Sequence, residues 1–250
     1  MPTFRENAVV LRTKALRDAD RHYVLFTEGH GKMTVLAKGS RKGKSKMAPH
    51  LASFGIVDVM IAKGRVIDRL AGASLVRPYK QLLRSLQRTA LVQSFLLAVD
   101  SLTKRELPDE RTFRLITEFL EAADNGPEPE EGERGMAFDA GIARLLDVLG
   151  FALELRECVR CRAALVPDGN ALSVLRGGTE CAACRNPLST SVSSAAIKAM
   201  RFFRSEPIAA VALLRLSSGT RREIAFLTDL LLSSQIEHRF HALRYMKAVG

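Results

Sequence analysis

The sequence predicts an α+β multidomain architecture, and three observations carry that reading. The first 75 or so residues are short runs rich in β-branched and aromatic residues, helical periodicity takes over at Gln81, and all four cysteines fall in two C-x-x-C pairs. The chain therefore divides into a β-domain at 1–80 and an α-helical domain at 81–250, with a cysteine hairpin inserted at 156–186. Its 250 residues, 47% of them hydrophobic, suffice for a sizeable core. No apolar run approaches the roughly 20 residues of a membrane span, so no membrane partner is expected.

Taken in order, the first third reads as five strands. Residues 4–13 carry Val9, Val10 and Leu11; 21–27 carry Tyr23, Val24, Leu25 and Phe26; 32–37 carry Met33, Val35 and Leu36; 54–62 carry Ile56, Val57, Val59 and Ile61; 66–75 form the fifth. Gly29-His30-Gly31 and Lys63-Gly64 supply turns. Five short strands in so small a span suggest a closed or partly closed barrel, of which the OB-fold is the commonest nucleic-acid-binding type.

Beyond Pro78 the spacing of Leu82, Leu86, Ala90, Phe95, Val99 and Leu102 predicts a helix, and a second is expected over 109–123. An acidic, proline-containing connector leads to a helix at 135–149, closed by Gly150. After the cysteines, 193–204 is helical with Ser193 or Ser194 as its cap, Glu206-Pro207 breaks it, and helices at 221–232 and 234–248 finish the domain. Met200, Phe202, Phe203, Phe226 and Phe240 read as core.

Cys158, Cys161, Cys181 and Cys184 have the spacing of a tetrahedral four-thiolate Zn2+ site. The segment between the pairs must fold back: the run 163–166, the turn Pro167-Asp168-Gly169-Asn170 and the run 171–175 predict a hairpin, after which Arg176-Gly177-Gly178 swings the chain to the second knuckle. Two disulfides compete, but no signal segment opens the chain, so a reducing cytosolic setting is expected. A thioredoxin-like redox motif would need one C-x-x-C after a strand rather than two matched pairs. Four thiolates fill the usual coordination shell of zinc and leave no position for a water, so one structural ion is the reading.

The net charge of +11 is unevenly placed: residues 1–80 hold 16 Lys+Arg against 6 Asp+Glu, while the remaining 170 residues hold 22 against 21. A basic domain with a polyanionic partner follows, nucleic acid before membrane. Lys38-Gly39-Ser40-Arg41-Lys42-Gly43-Lys44-Ser45-Lys46 concentrates five cations in nine residues beside glycine and serine, and suits contact with backbone phosphates. Arg12, Lys14, Arg17 and Arg21 around the first inter-strand connection extend the same expected surface. The loop ends like a phosphate-binding P-loop, but Gly39 precedes Gly43 by one residue too few, and an apparent strand follows Pro49 where a helix should open. Few rings lie nearby, namely His22, Tyr23, Phe26, His50 and Phe54, and alternation sends some inward. No H-E-x-x-H, zinc-deaminase or G-x-S-x-G motif occurs, so no catalytic centre is read and no enzyme is expected.

Val9-Val10-Leu11-Arg12-Thr13, Asp18-Ala19-Asp20-Arg21, Leu25-Phe26-Thr27-Glu28-Gly29-His30-Gly31-Lys32 and Ala37-Lys38-Gly39-Ser40-Arg41, followed by helices and then a four-cysteine hairpin, together resemble the bacterial recombination mediator family RecO over essentially the whole chain. The resemblance implies a non-enzymatic protein of DNA repair and recombination after DNA damage. Such a protein binds single- and double-stranded DNA through an OB-fold, anneals complementary strands, and binds RecR and the C-terminal tail of single-strand-binding protein. It thereby helps to load RecA onto coated DNA in the cytoplasm, at the nucleoid. Some members lack the cysteines, so the resemblance implies that the metal is not essential to the shared activity. A basic groove with Arg201, Arg204, Arg215, Arg221 and Arg222 is available for the acidic tail. The alternatives are an RNA-binding or translation-associated zinc protein, since OB barrels also grip RNA, and a metal-dependent nuclease.

Overall fold

The computed structural model describes residues 2–16, 19–42, 44–52, 54–130 and 134–236. These group into two compact units that divide at residues 133/134.

The first unit is built on a closed barrel. Its strands are β1 (Thr3–Ala15), β2 (Arg21–Thr27), β3 (Gly31–Ala37), β4 (Gly55–Ala62) and β5 (Asp68–Pro78), with a short helix α1 (Ala48–Ala52) between β3 and β4. The order β1-β2-β3-β5-β4 closes on β1. All ladders are antiparallel except β3 with β5, which is parallel. Five strands in this order with a helix after the third give the OB-fold expected from the sequence. Period-2 alternation sets the inside: Ala8, Tyr23, Leu25, Met33, Val35, Ala37, Val57, Val59 and Ile61 fill the barrel, and Leu51 of α1 plugs it. A bulge between Val10 and Arg12 shifts the alternation of β1, so that Thr13 lies opposite Tyr23 and Lys14 opposite His22. Gly31 must be glycine: its φ is +66°, and a Cβ there would lie 2.0 Å from the carbonyl oxygen of Leu107.

Helices α2 (Leu86–Leu102) and α3 (Glu110–Asn125) belong to this same unit, so the packed unit extends beyond residue 80, where the strands end. Ser85 caps α2 and Asp109 caps α3. Phe95 and Phe119 stack with centroids 3.8 Å apart. Lys32, only 7% exposed, donates to the Asp100 carbonyl and sits 3.3 Å from its carboxylate, which fastens β3 to α2. Burying this ammonium is tolerable because a carboxylate and a carbonyl both face it.

The second unit contains α4 (Gly135–Val148), β6 (Ala171–Ser173), β7 (Gly178–Glu180), β8 (Thr190–Ser191), α5 (Ser194–Ser205), α6 (Ile208–Ala212) and α7 (Ser218–Gln235). Phe138, Ile142 and Leu145 of α4, Met200 and Phe203 of α5, Ile208 and Val211 of α6, and Ile224 and Leu227 of α7 are buried in it. Arg134 enters the same unit almost fully buried, paired with Asp139 at 2.6 Å and with Asp229, and its guanidinium lies over Phe138.

Several expectations are corrected. The strand read after Pro49 is β4, but the one-turn helix α1, which contains Pro49, precedes it and went unread, so the P-loop reading fails on spacing alone. The turn of the cysteine hairpin is not Pro167-Asp168-Gly169-Asn170. Residues 163–166 form no strand, and β6 pairs with β7 through the turn 174–177, where Gly177 takes φ +67°. Asn170 is buried with its amide on the Val166 carbonyl, which takes it out of a solvated turn. Phe202 and Phe226 are exposed, because α5 and α7 bury the stripes through Phe203 and Leu227 instead. Helix α6 after Pro207 went unread, and the expected helix at 234–248, with Phe240, falls almost wholly outside the described residues. Among the described residues no helix is long and apolar enough to cross a membrane.

Candidate nucleic-acid interface and metal centre

One end of the barrel collects the predicted basic residues. The pairs Ala15 with Arg21 and Arg21 with Ala37 place the ends of β1 and β3 and the start of β2 side by side. The β1–β2 connection and the loop after β3 are then tied together. The Arg41 amide donates to the Ala19 carbonyl at 2.8 Å, the Gly39 amide donates to Asp20 Oδ1 at 2.7 Å, and the Leu16 amide donates to the Asp20 carbonyl at 3.0 Å. Gly39, at φ +66°, turns its amide into that contact. The loop is itself built of turns: the Lys42 amide donates to the Gly39 carbonyl and the Ser45 amide to the Lys42 carbonyl. Ser45 Oγ then accepts from the Ala48 amide at the start of α1.

Lys14, Lys38, Arg41, Lys42, Lys44 and Lys46 are exposed here and Arg21 is half-buried, and none forms an ion pair among the described residues. Arg12 differs, because its Nε lies 2.8 Å from Asp100 and its charge is partly compensated. Arg17 lies outside the described residues. Asp20 lies at this end and accepts from the Gly39 amide, while the other described acids of the barrel are engaged elsewhere: Asp58 with Arg5, Asp68 with Lys63, Glu6 with His30, and Glu28 with Asn7. The excess positive charge is therefore left at the end formed by 14–21 and 38–46.

Register adds a residue that sequence reasoning missed. Lys14 opposes His22, His22 opposes Leu36, and Leu36 is the partner of Arg69 in the parallel ladder. Exposed Arg69 thus continues the row from Lys14 across four strands. Asp20 was also missed as a positioning group, since its partner lies 19 residues away. Of the nearby rings, Tyr23 and Phe26 are buried, His50 accepts from the Leu75 amide, and His22 is left on the row. The surface offers cations in number and little aromatic area.

Asp20→Ala tests the tie. Removing a carboxylate from a basic surface should strengthen anion binding if only charge mattered. Loss of the Gly39 amide's acceptor, at about 1 kcal/mol, should instead loosen 38–46. The expected result is faster proteolysis in that loop and a roughly two- to fivefold weaker affinity for a single-stranded oligonucleotide, against the electrostatic trend. A tighter complex would show that Asp20 acts by charge alone.

In the second unit the four cysteine sulfurs all lie within 4.8 Å of one another and can hold a metal ion. Each C-x-x-C closes a turn: the Arg162 amide donates to the Cys158 carbonyl at 2.9 Å, and the Cys184 amide to the Cys181 carbonyl at 3.0 Å. Residue 162 takes φ +62° to leave the first knuckle. The Val159 amide donates to the Thr179 carbonyl, which joins that knuckle to β7, and the Arg160 guanidinium reaches the Cys184 carbonyl across the pair. Burial disfavours the Cys158 thiolate, but backbone N–H groups of Cys161, Cys181 and Arg160 outweigh it and bring the thiol down to about 6. Cys184, hydrogen-bonded to the Cys161 and Cys181 sulfurs, is pushed up to about 12. A ready thiolate at Cys158 beside a Cys184 thiol that resists ionisation is a pair that a cation would complete. Of the arginines offered for a basic groove, Arg201 and Arg204 line a cavity of this unit, whereas Arg215, Arg221 and Arg222 do not.

The family description "Recombination protein O N terminal" matches residues 1–79, and "Recombination protein O C terminal" matches residues 83–244. A protein of Roseiflexus sp. named DNA repair protein RecO is 30% identical over 94% of this chain and 80% of its own length. Proteins of the same name from Cutibacterium acnes and Geobacter metallireducens are 35% and 27% identical; they cover 75% and 100% of this chain, over 76% and 99% of their own lengths.

Proposed function

The chain belongs to the recombination protein O family of DNA repair proteins, and from that premise we propose that it works as a non-enzymatic recombination mediator in the cytoplasm, at the nucleoid. It binds single- and double-stranded DNA through the basic end of the barrel and anneals complementary strands. With RecR, and with the tail of single-strand-binding protein as a second contact, it helps to load RecA. The observation that carries this reading is the Asp20-centred tie, which holds the 38–46 loop against the β1–β2 connection and gathers Lys14, Arg21, Lys38, Arg41, Lys42, Lys44 and Lys46 at one end.

The mechanism is electrostatic. Mobile ammonium and guanidinium groups neutralise phosphates and release counterions, with little dependence on sequence. Because Tyr23 and Phe26 are buried, the grip falls on the backbone rather than on stacked bases. A strand held by its phosphates keeps its base edges free for a complement, which is the state annealing requires.

The metal in this reading is one Zn2+. A zinc–sulfur bond of ~2.3 Å in a tetrahedron separates sulfurs by about 3.8 Å, and Cys161 and Cys181 stand 3.8 Å apart. Cys158, Cys161, Cys181 and Cys184 would hold it, and zinc supplies cross-linking of the knuckles rather than reaction chemistry.

Strand annealing on DNA coated with single-strand-binding protein, run with and without a chelator, tests this function. Acceleration over the protein-free rate in both arms is expected, the chelated arm being slower. No acceleration, or tighter binding to RNA of the same sequence in a competition titration, would favour the RNA-binding alternative.

A further inference from the structure

The second unit contains a cavity of about 680 Å³ lined by Arg156, Arg162, Arg176, Arg201 and Arg204, against only two acids, Asp147 and Glu154. Two of these arginines are built in. Arg201 donates to the Leu155 carbonyl through Nε at 2.8 Å and through a second nitrogen. Arg204 donates to the Leu153 carbonyl at 2.6 Å and sits 2.5 Å from Asp147. Helix α5 thereby pins the strand-like segment 153–155, and the pinned backbone places Arg156 at the rim. Arg201 and Arg156 have no carboxylate partner among the described residues.

The other two arginines depend on the cysteine cluster. Arg162 follows Cys161 directly and, among the described residues, pairs with half-buried Glu157. Arg176 lies in the β6–β7 turn, 3.3 Å from buried Glu180. Val159, inside the first knuckle, forms part of the same wall. Arg162, Arg176 and Arg204 are each paired with one carboxylate, of Glu157, Glu180 and Asp147, so the positive charge an entering anion would meet is that of Arg156 and Arg201, with Glu154 the other lining acid. Guanidinium forks match the tetrahedral oxygens of phosphate with paired N–H donors. The volume admits a nucleotide or two.

We propose that this cavity is a phosphate-binding site, taking the backbone of a nucleic acid strand at a position independent of the barrel, and that the metal-held knuckle positions part of it. The source of the phosphate rests on the nucleic-acid reading above; the anion chemistry does not. A chain with two separate phosphate grips can hold two strands, or two segments of one.

The test uses the full metal-loaded chain and an Arg156→Glu/Arg162→Glu variant, with metal content and circular dichroism checked first. Neither side chain is needed to pin 153–155. Lys198→Glu, exposed on α5 and outside the cavity, controls for net charge. Anisotropy with a single-stranded oligonucleotide should show affinity about five- to tenfold weaker for the double variant and a salt slope reduced by about 1.4, for two contacts at ~0.7 each. The control should show less than twofold. Calorimetry with inorganic phosphate and with a deoxynucleoside monophosphate separates the sources: binding of either, lost in the variant while oligonucleotide affinity stays, keeps the phosphate site and assigns it to a free ligand. Unchanged affinity for all three probes overturns the proposal. So does a glutamate-rich peptide that binds the wild type and not the variant while all three phosphate probes are unaffected. Failure of the barrel reading looks different, since the 38–46 loop variant would then bind normally while the cavity variant does not.

Discussion

Replacing Arg41, Lys42, Lys44 and Lys46 together with Glu is expected to weaken binding to a single-stranded oligonucleotide at least 100-fold near 0.15 M salt, with the melting temperature within a few degrees of wild type. All four side chains are exposed, and none pairs with a carboxylate among the described residues, so the fold loses no contact through them. The loop keeps its shape because its restraints are backbone groups: the amides of Gly39, Arg41, Lys42 and Ser45. Each lost phosphate contact on a single strand removes ~0.7 from the salt slope, and each reversed charge adds repulsion. A slope reduced by about 3 would accompany the loss. Arg12→Glu alone should cost less DNA affinity than a loop cation does, because Asp100 already compensates Arg12, and more stability, because that pair helps to fasten the barrel to α2.

Cys158→Ser, or chelation, is expected to unfold the 156–186 region and loosen the second unit while the barrel persists. Cys158 is fully buried, its sulfur accepts from the Cys181 amide at 3.4 Å, and the short strands β6 and β7 have three residues each. Ladders this short do not hold a fold by themselves, so the cross-link carries the region. Metal analysis should give about one zinc per wild-type chain and less than a tenth of that for the variant. Metal release should also follow acidification, because every ligand must be deprotonated to bind and protons compete with the ion for the four sulfurs. Limited proteolysis of the stripped protein should cut within 156–186 first, and DNA affinity should fall no more than the cavity variant's five- to tenfold. Equal and simultaneous loss of barrel protection and of all DNA binding would contradict this division of labour.

Much of this was legible in the sequence. Alternation runs cleanly through β4, where Val57, Val59 and Ile61 face inward, whereas β2 buries Tyr23 to Thr27 on both faces; the order of five short strands sufficed for the barrel. Ser193, offered with Ser194 as a cap, marks its helix start through a local hydrogen bond to a nearby amide, which is why that boundary came out within a residue. The cysteine spacing led directly to a cluster that can hold a metal. What stayed hidden depends on register or on long-range packing. The contact of Asp20 with Gly39 exists only because β1, β2 and β3 end in line, and Arg69 joins the basic row only through the one parallel ladder. Helix α3 shows an apolar stripe and α2 is buried nearly all round, and neither pattern names the surface it covers, so their place in the barrel's unit was not readable. The cavity arginines are scattered over 156–204, and only the folded cysteine region and α5 bring them to one wall.

In the proposed function, DNA lies on the barrel end that carries the described basic residues of 12–22 and 38–46 and Arg69. Ultraviolet cross-linking of the full metal-loaded chain to a thymidine-rich single strand, followed by mass-spectrometric mapping of the modified peptides, tests it most directly. Cross-links are expected in peptides spanning 12–22 and 38–46, lost at high salt. Cross-links confined to α5, α6 and α7, with none in residues 12–69, would contradict it.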